Sequence, residues 1–240
     1  MNYLAIDAST EACSVALQVN GKLYSRYDLC PQSHSLQLLP MVDEVLTQAG
    51  IKLSQCDGLI FGRGPGSFTG VRIGVGVAQG LAFAANIPVF GVSSLQAMAQ
   101  LAFIQGKIQG KVNGKSTGVI AAIDARMGEV YNGYFMLDEN NIMQPQCAEA
   151  VTAPEQLAQH LSSVVNQPQY GVGSAWDAYK EPLLPLKSNR GSPDVLFPSA
   201  EAMLAIGVIS LEQGKGVDAQ DAQPVYVRDT VSWKKLPGRE

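Results

Sequence analysis

The tripeptide Ile-Asp-Ala occurs at residues 6–8 and again at 123–125, in the same context both times. Each copy closes a nearly continuous apolar run, "YLAID" in the first case and "VIAAID" in the second. Each is followed by a stretch in which apolar and polar residues alternate. An unbroken apolar run of this length suits a strand buried on both faces, and alternation suits a strand with one face in water. The copies lie close to half of the 240-residue chain apart. Repetition on that scale predicts two related units, each opening with a buried strand that feeds directly into a second strand. A dinucleotide-binding wound sheet is excluded for the first unit, because there the first strand leads into a helix.

Within the first unit, the strand at 3–7 is followed by alternating segments at 13–19 and 22–29 joined at Asn20-Gly21, a hairpin dipeptide. A helix is expected over 33–49, with Ser33 and Ser35 as candidate caps, Gly50 as its stop and a bend at Pro40. Strands at 57–62 and 87–93 alternate with helices at 69–85 and 94–105. The order β-β-β-α-β-α-β-α predicts an α/β fold, a mixed sheet flanked by helices. Residues 106–117, "GKIQGKVNGKST", are polar and unpatterned and read as a linker. The second unit looks like a trimmed copy, with helices at 153–165 and 199–212 and a strand near 169–173. The expected division is 1–105, a linker at 106–117, 118–225 and a basic tail at 226–240.

Composition narrows the function classes. The net charge of -4 gives no global sign of a nucleic-acid binder, and the one basic asymmetry is the tail, with Arg228, Lys234, Lys235 and Arg239. Cys13, Cys30, Cys56 and Cys147 are scattered, without a CxxC pair, and read as reduced thiols. "MNYLAIDAST" lacks a basic leader and no run approaches 18 apolar residues, so the expectation is a soluble cytoplasmic chain with no membrane contact.

The stretch "GRGPGSFTGVRIGVGVAQG" (62–80) looks like a phosphate cradle, but it has no lysine for a P-loop and follows the wrong strand for a Rossmann turn. Two other uses for its glycines remain. Gly62, Gly64 and Gly66 around Pro65 can build a tight loop. Gly70, Gly74, Ala78 and Ala82 form a smooth ridge along a helix, suited to close packing either inside its own core or across a subunit interface. The helix at 33–49 carries two apolar stripes, Leu38–Val42–Val45–Ala49 and Leu36–Leu39–Leu46 with Met41 alongside; one suffices for a core, and the other is free to be covered by something else. Catalytic groups are scarce. His160 sits on a surface-type helix, and neither it nor His34 is followed by a metal ligand at i+3 or i+4, which disfavours zinc. Asp7 and Asp124 end core strands; they can hold a hydrated magnesium together, or Asp7 can close a turn with Ser9 and Thr10.

The segments "IDAST", "HSLQLLP", "GRGPGSFTGVRIG", "IDARMGEVY" and "PVYVRD" together resemble the TsaB (YeaZ) family. The resemblance implies the actin/Hsp70/sugar-kinase (ASKHA) fold and a part in bacterial synthesis of threonylcarbamoyladenosine, beside the anticodon of tRNAs reading ANN codons. There TsaD, on the same fold, transfers the threonylcarbamoyl group, TsaB is its partner, and TsaE is an ATPase that joins them. TsaD-like catalysis implies a metal held by two histidines four apart after "IPV"; Ser94 and Met98 stand at those places, and neither replaces an imidazole. The adenosine loop of the fold has adjacent glycines, whereas "YGVGSAW" separates Gly171 from Gly173. The expectation is a non-catalytic scaffold without cofactor or metal, docking TsaD through the helices 33–49 and 69–85 and reaching tRNA only within the complex. The expected contacts are His34, Leu38, Met41, Gly74, Val75 and Ala78, and the same surface should form homodimers when TsaD is absent. The rival is a metal-dependent phosphotransferase or peptidase using Asp7 and the 64–69 loop, with Gly64 and Ser67. A second rival is direct tRNA binding by Arg228, Lys234 and Lys235.

Overall fold

A computed structural model of the chain describes residues 1–108, 117–165, 169–186 and 194–228. The first sheet begins as the hydropathy pattern requires. β1 (Asn2–Asp7) pairs antiparallel with β2 (Ala12–Val19), and β2 pairs antiparallel with β3 (Lys22–Leu29). Asn20 and Gly21 turn this hairpin with φ of 50° and 83°, the left-handed pair that a two-residue loop demands. β4 (Gly58–Gly64) joins the other side of β1 in parallel and β5 (Val89–Ser93) joins β4, giving the order β3-β2-β1-β4-β5.

Two helices cover one face of this sheet. α1 (His34–Ala49) lies over β2 and β3, and α2 (Phe68–Ala85) lies over β4 and β1. α1 runs through Pro40 without interruption and stops where Gly50 turns left-handed at φ 68°. Ser33 stands at its N-cap position, but its side chain makes no capping bond. On the opposite face lies α3 (Ser94–Ile104), capped by the Ser93 hydroxyl, which accepts from the Leu95 and Gln96 amides.

The second sheet is a smaller version of the first. β6 (Gly118–Arg126) pairs antiparallel with β7 (Glu129–Leu137), which is flanked by β8 (Met143–Pro145) and β9 (Ala150–Thr152). β10 (Gln169–Val172) runs parallel to β6, as β4 runs parallel to β1. No counterpart of β5 occurs among the described residues. The helix expected over 153–165 is shorter: a 3-10 turn at Pro154–Gln156 leads into α4 (Leu157–Leu161). Pro154, Leu157 and Leu161 are buried there, and Val164 and Val165 pack against the same core from beyond the helix end. α5 (Ala175–Ala178) and α6 (Lys180–Leu183) complete this face, with Trp176 and Leu183 in its core.

α7 (Ala200–Glu212) comes from the second half of the sequence and packs on the first sheet, against β1, β2, β4 and β5. It is apolar on nearly every side, so it has to be buried all round. It lies with α3 in the layer between the two sheets, where Gly207 lets its backbone settle on Ile60. Beyond it the chain bridges Val89 through Val217, places a 3-10 turn (Ala219–Asp221) against α2, and reaches Arg63 through the Val225 amide. Paired halves of β-β-β-α-β type, each a mixed sheet with helices, make the ASKHA fold. Of the segment read as a linker, 109–116 lie outside the described residues.

Candidate functional site

The glycine-rich loop between β4 and α2 is shaped by close backbone approach to the turn after β1. A Cβ at Gly62 would stand 1.8 Å from Asp7 Oδ1, one at Gly66 2.1 Å from the Ser9 carbonyl oxygen, and one at Gly70 2.2 Å from that of Ala8. Each of these positions therefore excludes any side chain. Gly64 is left-handed at φ 93°. The Ser67 amide donates to the Ser9 carbonyl, and the Ser67 hydroxyl caps α2 by accepting from the Gly70 amide. The Ser67 amide thus ties the loop to the neighbouring turn.

Asp7 is fully buried under that loop. The Ser9 hydroxyl donates to its Oδ2 at 3.2 Å, while Oδ1 has no partner. Desolvation pushes the carboxyl up to about 6, against the opposing pull of the bonds from Ser9 and Ala8. The Thr10 hydroxyl accepts from the Ala12 amide. Asp124, its counterpart in the second half, is held by Arg126 at 3.0 Å and Tyr179 at 3.1 Å, while Arg126 reaches on to Glu11. Asp7 thus meets the Ser9 hydroxyl but not that of Thr10, which turns to Ala12, while Asp124 is held by Arg126 and Tyr179.

At the head of α3, Ser94 and Met98 are both completely buried. The Ser94 hydroxyl donates to that of Ser9 at 2.7 Å, and Met98 lies in the core shared by the two sheets. Beside them the Ser93 hydroxyl donates to Glu149, whose carboxyl is raised by burial although Arg63 pulls it down. Gly173, in the "YGVGSAW" segment, takes φ 104° and lies where a Cβ would be 2.1 Å from the Ala122 carbonyl oxygen. His160 is exposed on α4. Cys13, Cys30 and His34 come within 4.8 Å of one another, a grouping that forward spacing from each histidine does not reveal.

The six side chains expected at a partner contact require a correction. His34, Leu38, Met41, Gly74, Val75 and Ala78 are all buried within this chain. The ridge Gly70–Gly74–Ala78–Ala82 faces the chain's own core, where Gly70 and Gly74 meet Ala8. Of the two uses left open for that ridge, internal packing is the one observed. The outer faces of the same helices carry a different set. On α1 Leu36 is 73% exposed and Leu39 50%. On α2 a second row of small residues, Gly76, Gly80 and Ala84, is open to solvent, and nothing lies within 4 Å of a Cβ built at either glycine. Ile73, Val77 and Leu81 are only partly buried beside it, and Phe83 is 82% exposed. The signal for this row was in the sequence, at the same four-residue spacing but offset by two.

The basic tail enters the described residues only at Arg228. Its guanidinium donates to Glu129 and to the Ala125 carbonyl oxygen. Lys234, Lys235 and Arg239 lie outside the described residues.

Comparison with known proteins agrees with this architecture. Residues 28–182 match the family model described as TsaD, tRNA N6-adenosine threonylcarbamoyltransferase. The chain is 46% identical to the tRNA threonylcarbamoyladenosine biosynthesis protein TsaB of Escherichia coli K12, over 100% of both chains. It is 42% identical to the TsaB of Haemophilus influenzae, over 100% of this chain and 99% of that one. The solved structure of YeaZ from Pseudomonas aeruginosa superposes with a TM-score of 0.81 at 41% identity, covering 94% of this chain and 99% of that one. With full-length identity at this level and a shared fold, the chain belongs to the TsaB family, within the wider group that the threonylcarbamoyltransferase model describes.

Proposed function

We propose that this chain acts in threonylcarbamoyladenosine synthesis as a non-catalytic scaffold that docks TsaD, with TsaE joining the assembly and tRNA met only within it. The relatives' shared name carries the pathway. The docking surface is the outer face of α1 and α2, and the row Gly76–Gly80–Ala84 supports that placement above all. Glycine inside a helix costs about 0.5–1 kcal/mol relative to alanine. At Gly70 that cost is offset by contact with Ala8, but at Gly76 and Gly80 nothing inside the chain needs the missing Cβ. A helix from another subunit laid across this groove would need it. Leu36, Leu39, Ile73 and Val77 would flank the contact, and the six buried residues would hold the two helices in register beneath it. Without TsaD, the same apolar strip pairs two copies of the chain.

An enzyme built on Asp7 and the 64–69 loop is disfavoured. Asp7 has no exposed surface, and the Ser67 amide at the head of α2 is bonded to the Ser9 carbonyl. The scaffold reading also draws on Ser94 and Met98 standing where the catalytic relative would carry imidazoles.

Copurification with TsaD tests the surface. Gly76→Leu and Gly80→Leu should fold as the wild type does and lose the partner. Gly74→Leu is the contrasting case, since its side chain would press on Ala8 and report on folding. Retained copurification by a Gly76→Leu, Gly80→Leu double variant would remove this interface.

A further inference from the structure

Cys13, Cys30 and His34 come from three kinds of segment, a strand, the end of a hairpin and the first residue of a helix, with Cys30 four residues before His34 and Cys13 seventeen residues before Cys30. β2 and β3 place Cys13 opposite Asp28. The Cys30 amide continues the ladder to the Glu11 carbonyl, so the two thiols come from adjacent strands. The Ser33 amide then bonds back to the Cys30 carbonyl, and this tight turn brings the start of α1 over the pair. The three candidate donor atoms all lie within 4.8 Å of one another.

The geometry points to a thiophilic metal site, a zinc(II) centre ligated by Cys13, Cys30 and His34. Zinc bound at about 2.3 Å to sulfur and about 2.0 Å to nitrogen sets neighbouring donors roughly 3.5–3.8 Å apart. Contraction by about an ångström from the observed grouping closes the site, within reach of small side-chain rotations. Two thiolates and an imidazole are the donor set that selects zinc over magnesium or calcium.

Two further observations suit a ligand cluster. His34 Nε2 lies 2.6 Å from the Thr10 carbonyl oxygen. A carbonyl only accepts, so Nε2 carries the proton and the neutral ring has its lone pair at Nδ1. A backbone carbonyl bonded to the far ring nitrogen in this way fixes the tautomer of a metal-bound histidine. Cys13 is fully buried, and Cys30 and His34 keep only 7% and 8% of their surface, so the three donors share one buried environment. Three protein ligands and one water complete four-coordination. Binding releases thiol protons and pins the first turn of α1 to the β2–β3 hairpin, directly behind Leu36 and Leu39.

The test uses the full chain, reduced and freed of metal, with Zn2+ titrated against a chromophoric chelator. One equivalent should bind, and Cd2+ in its place should give thiolate-to-metal charge-transfer absorption in the ultraviolet. Cys13→Ala, Cys30→Ala and His34→Gln should each weaken binding by about 100-fold or more, while Cys56→Ser and Cys147→Ser leave it unchanged. The wild-type titration decides by itself if a variant fails to fold. A reduced wild-type chain that does not compete with the chelator overturns the site, as does Cd2+ binding without a sulfur band. Zinc retained by a Cys13→Ala, Cys30→Ala double variant does so too.

Discussion

Asp7→Asn removes a buried charge while keeping the shape of the side chain. Asp7 has no contact with solvent, is bonded by the Ser9 hydroxyl and by the Ser9 and Ala8 backbone, and keeps one oxygen without a partner. Its carboxyl titrates near 6 in the folded chain against an ordinary 3.8, with burial as the largest cause. Below 3.8 the folded and unfolded chains are both protonated, and the group contributes its full share of stability. Between 3.8 and about 6 the unfolded chain releases the proton and the folded chain keeps it, so stability falls with rising pH by about 1.4 kcal/mol per unit. Above pH 6 the whole loss, about 3 kcal/mol, is in place. Asparagine is neutral throughout, but its N–H has no acceptor where Oδ1 now stands, which costs about 1–3 kcal/mol at every pH. The stability difference, variant minus wild type, should therefore climb by about 2.5 kcal/mol from pH 4 to pH 8, from negative to as much as about +2. Urea unfolding of both proteins across that range measures it. Glu149 also has a raised carboxyl, and its contribution cancels in the difference. Parallel stability curves for the two proteins would refute the desolvation of Asp7.

The two glycine rows of α2 should respond in opposite directions to one added methyl. Gly70→Ala forces a Cβ to 2.2 Å from the Ala8 carbonyl oxygen and should cost about 3 kcal/mol or more in chemical denaturation. Gly76→Ala and Gly80→Ala meet nothing and should each stabilise the isolated chain by about 0.5–1 kcal/mol. The segment after Ala222 is fastened to the start of α2, where Arg72 donates to the Tyr226 hydroxyl at 2.7 Å and lies over the Phe68 ring at 3.6 Å. Tyr226→Phe should change global stability by less than about 1 kcal/mol yet speed protease cleavage at 223–228, read by mass spectrometry.

What was legible in the sequence followed from local chemistry. Asn20-Gly21 and Gly50 each fix a backbone conformation over a few residues, and both are observed. Strands form at 13–19 and 22–29, but β2 is buried on both faces along most of its length, because α1 and α7 cover its two sides, rather than having one face in water. The Ile-Asp-Ala repeat located β1 and β6 because a strand buried on both faces has few other spellings. What was not legible depended on where elements finally pack. β8 and β9 are three residues each, too short for periodicity to register. α7 was recognisable as a helix, but its burial on the first sheet depends on a surface built from β1, β2, β4 and β5. The Cys13–Cys30–His34 grouping needs the register of a hairpin and the geometry of a turn, neither of which appears as a spacing.

The inward direction of the first glycine row has the same origin, and it sharpens the case for the second. α2 is apolar enough over its 18 residues to pass for a membrane span, yet only a third of it is buried. A helix that is apolar all round is stable in water only when most sides are covered. Here β4, β1 and α1 cover one side, with Gly70 and Gly74 setting how closely the helix approaches Ala8. The other side repeats the same device at Gly76 and Gly80, with apolar neighbours at Ile73 and Val77 and no contact within the chain above the glycines. A ridge that fits one backbone closely is accounted for by the fold; the equivalent ridge two residues out of phase meets nothing in the chain, and the proposed docking would give it a second backbone. In the proposed docking, α2 would be the middle helix of a stack whose next layer belongs to another subunit.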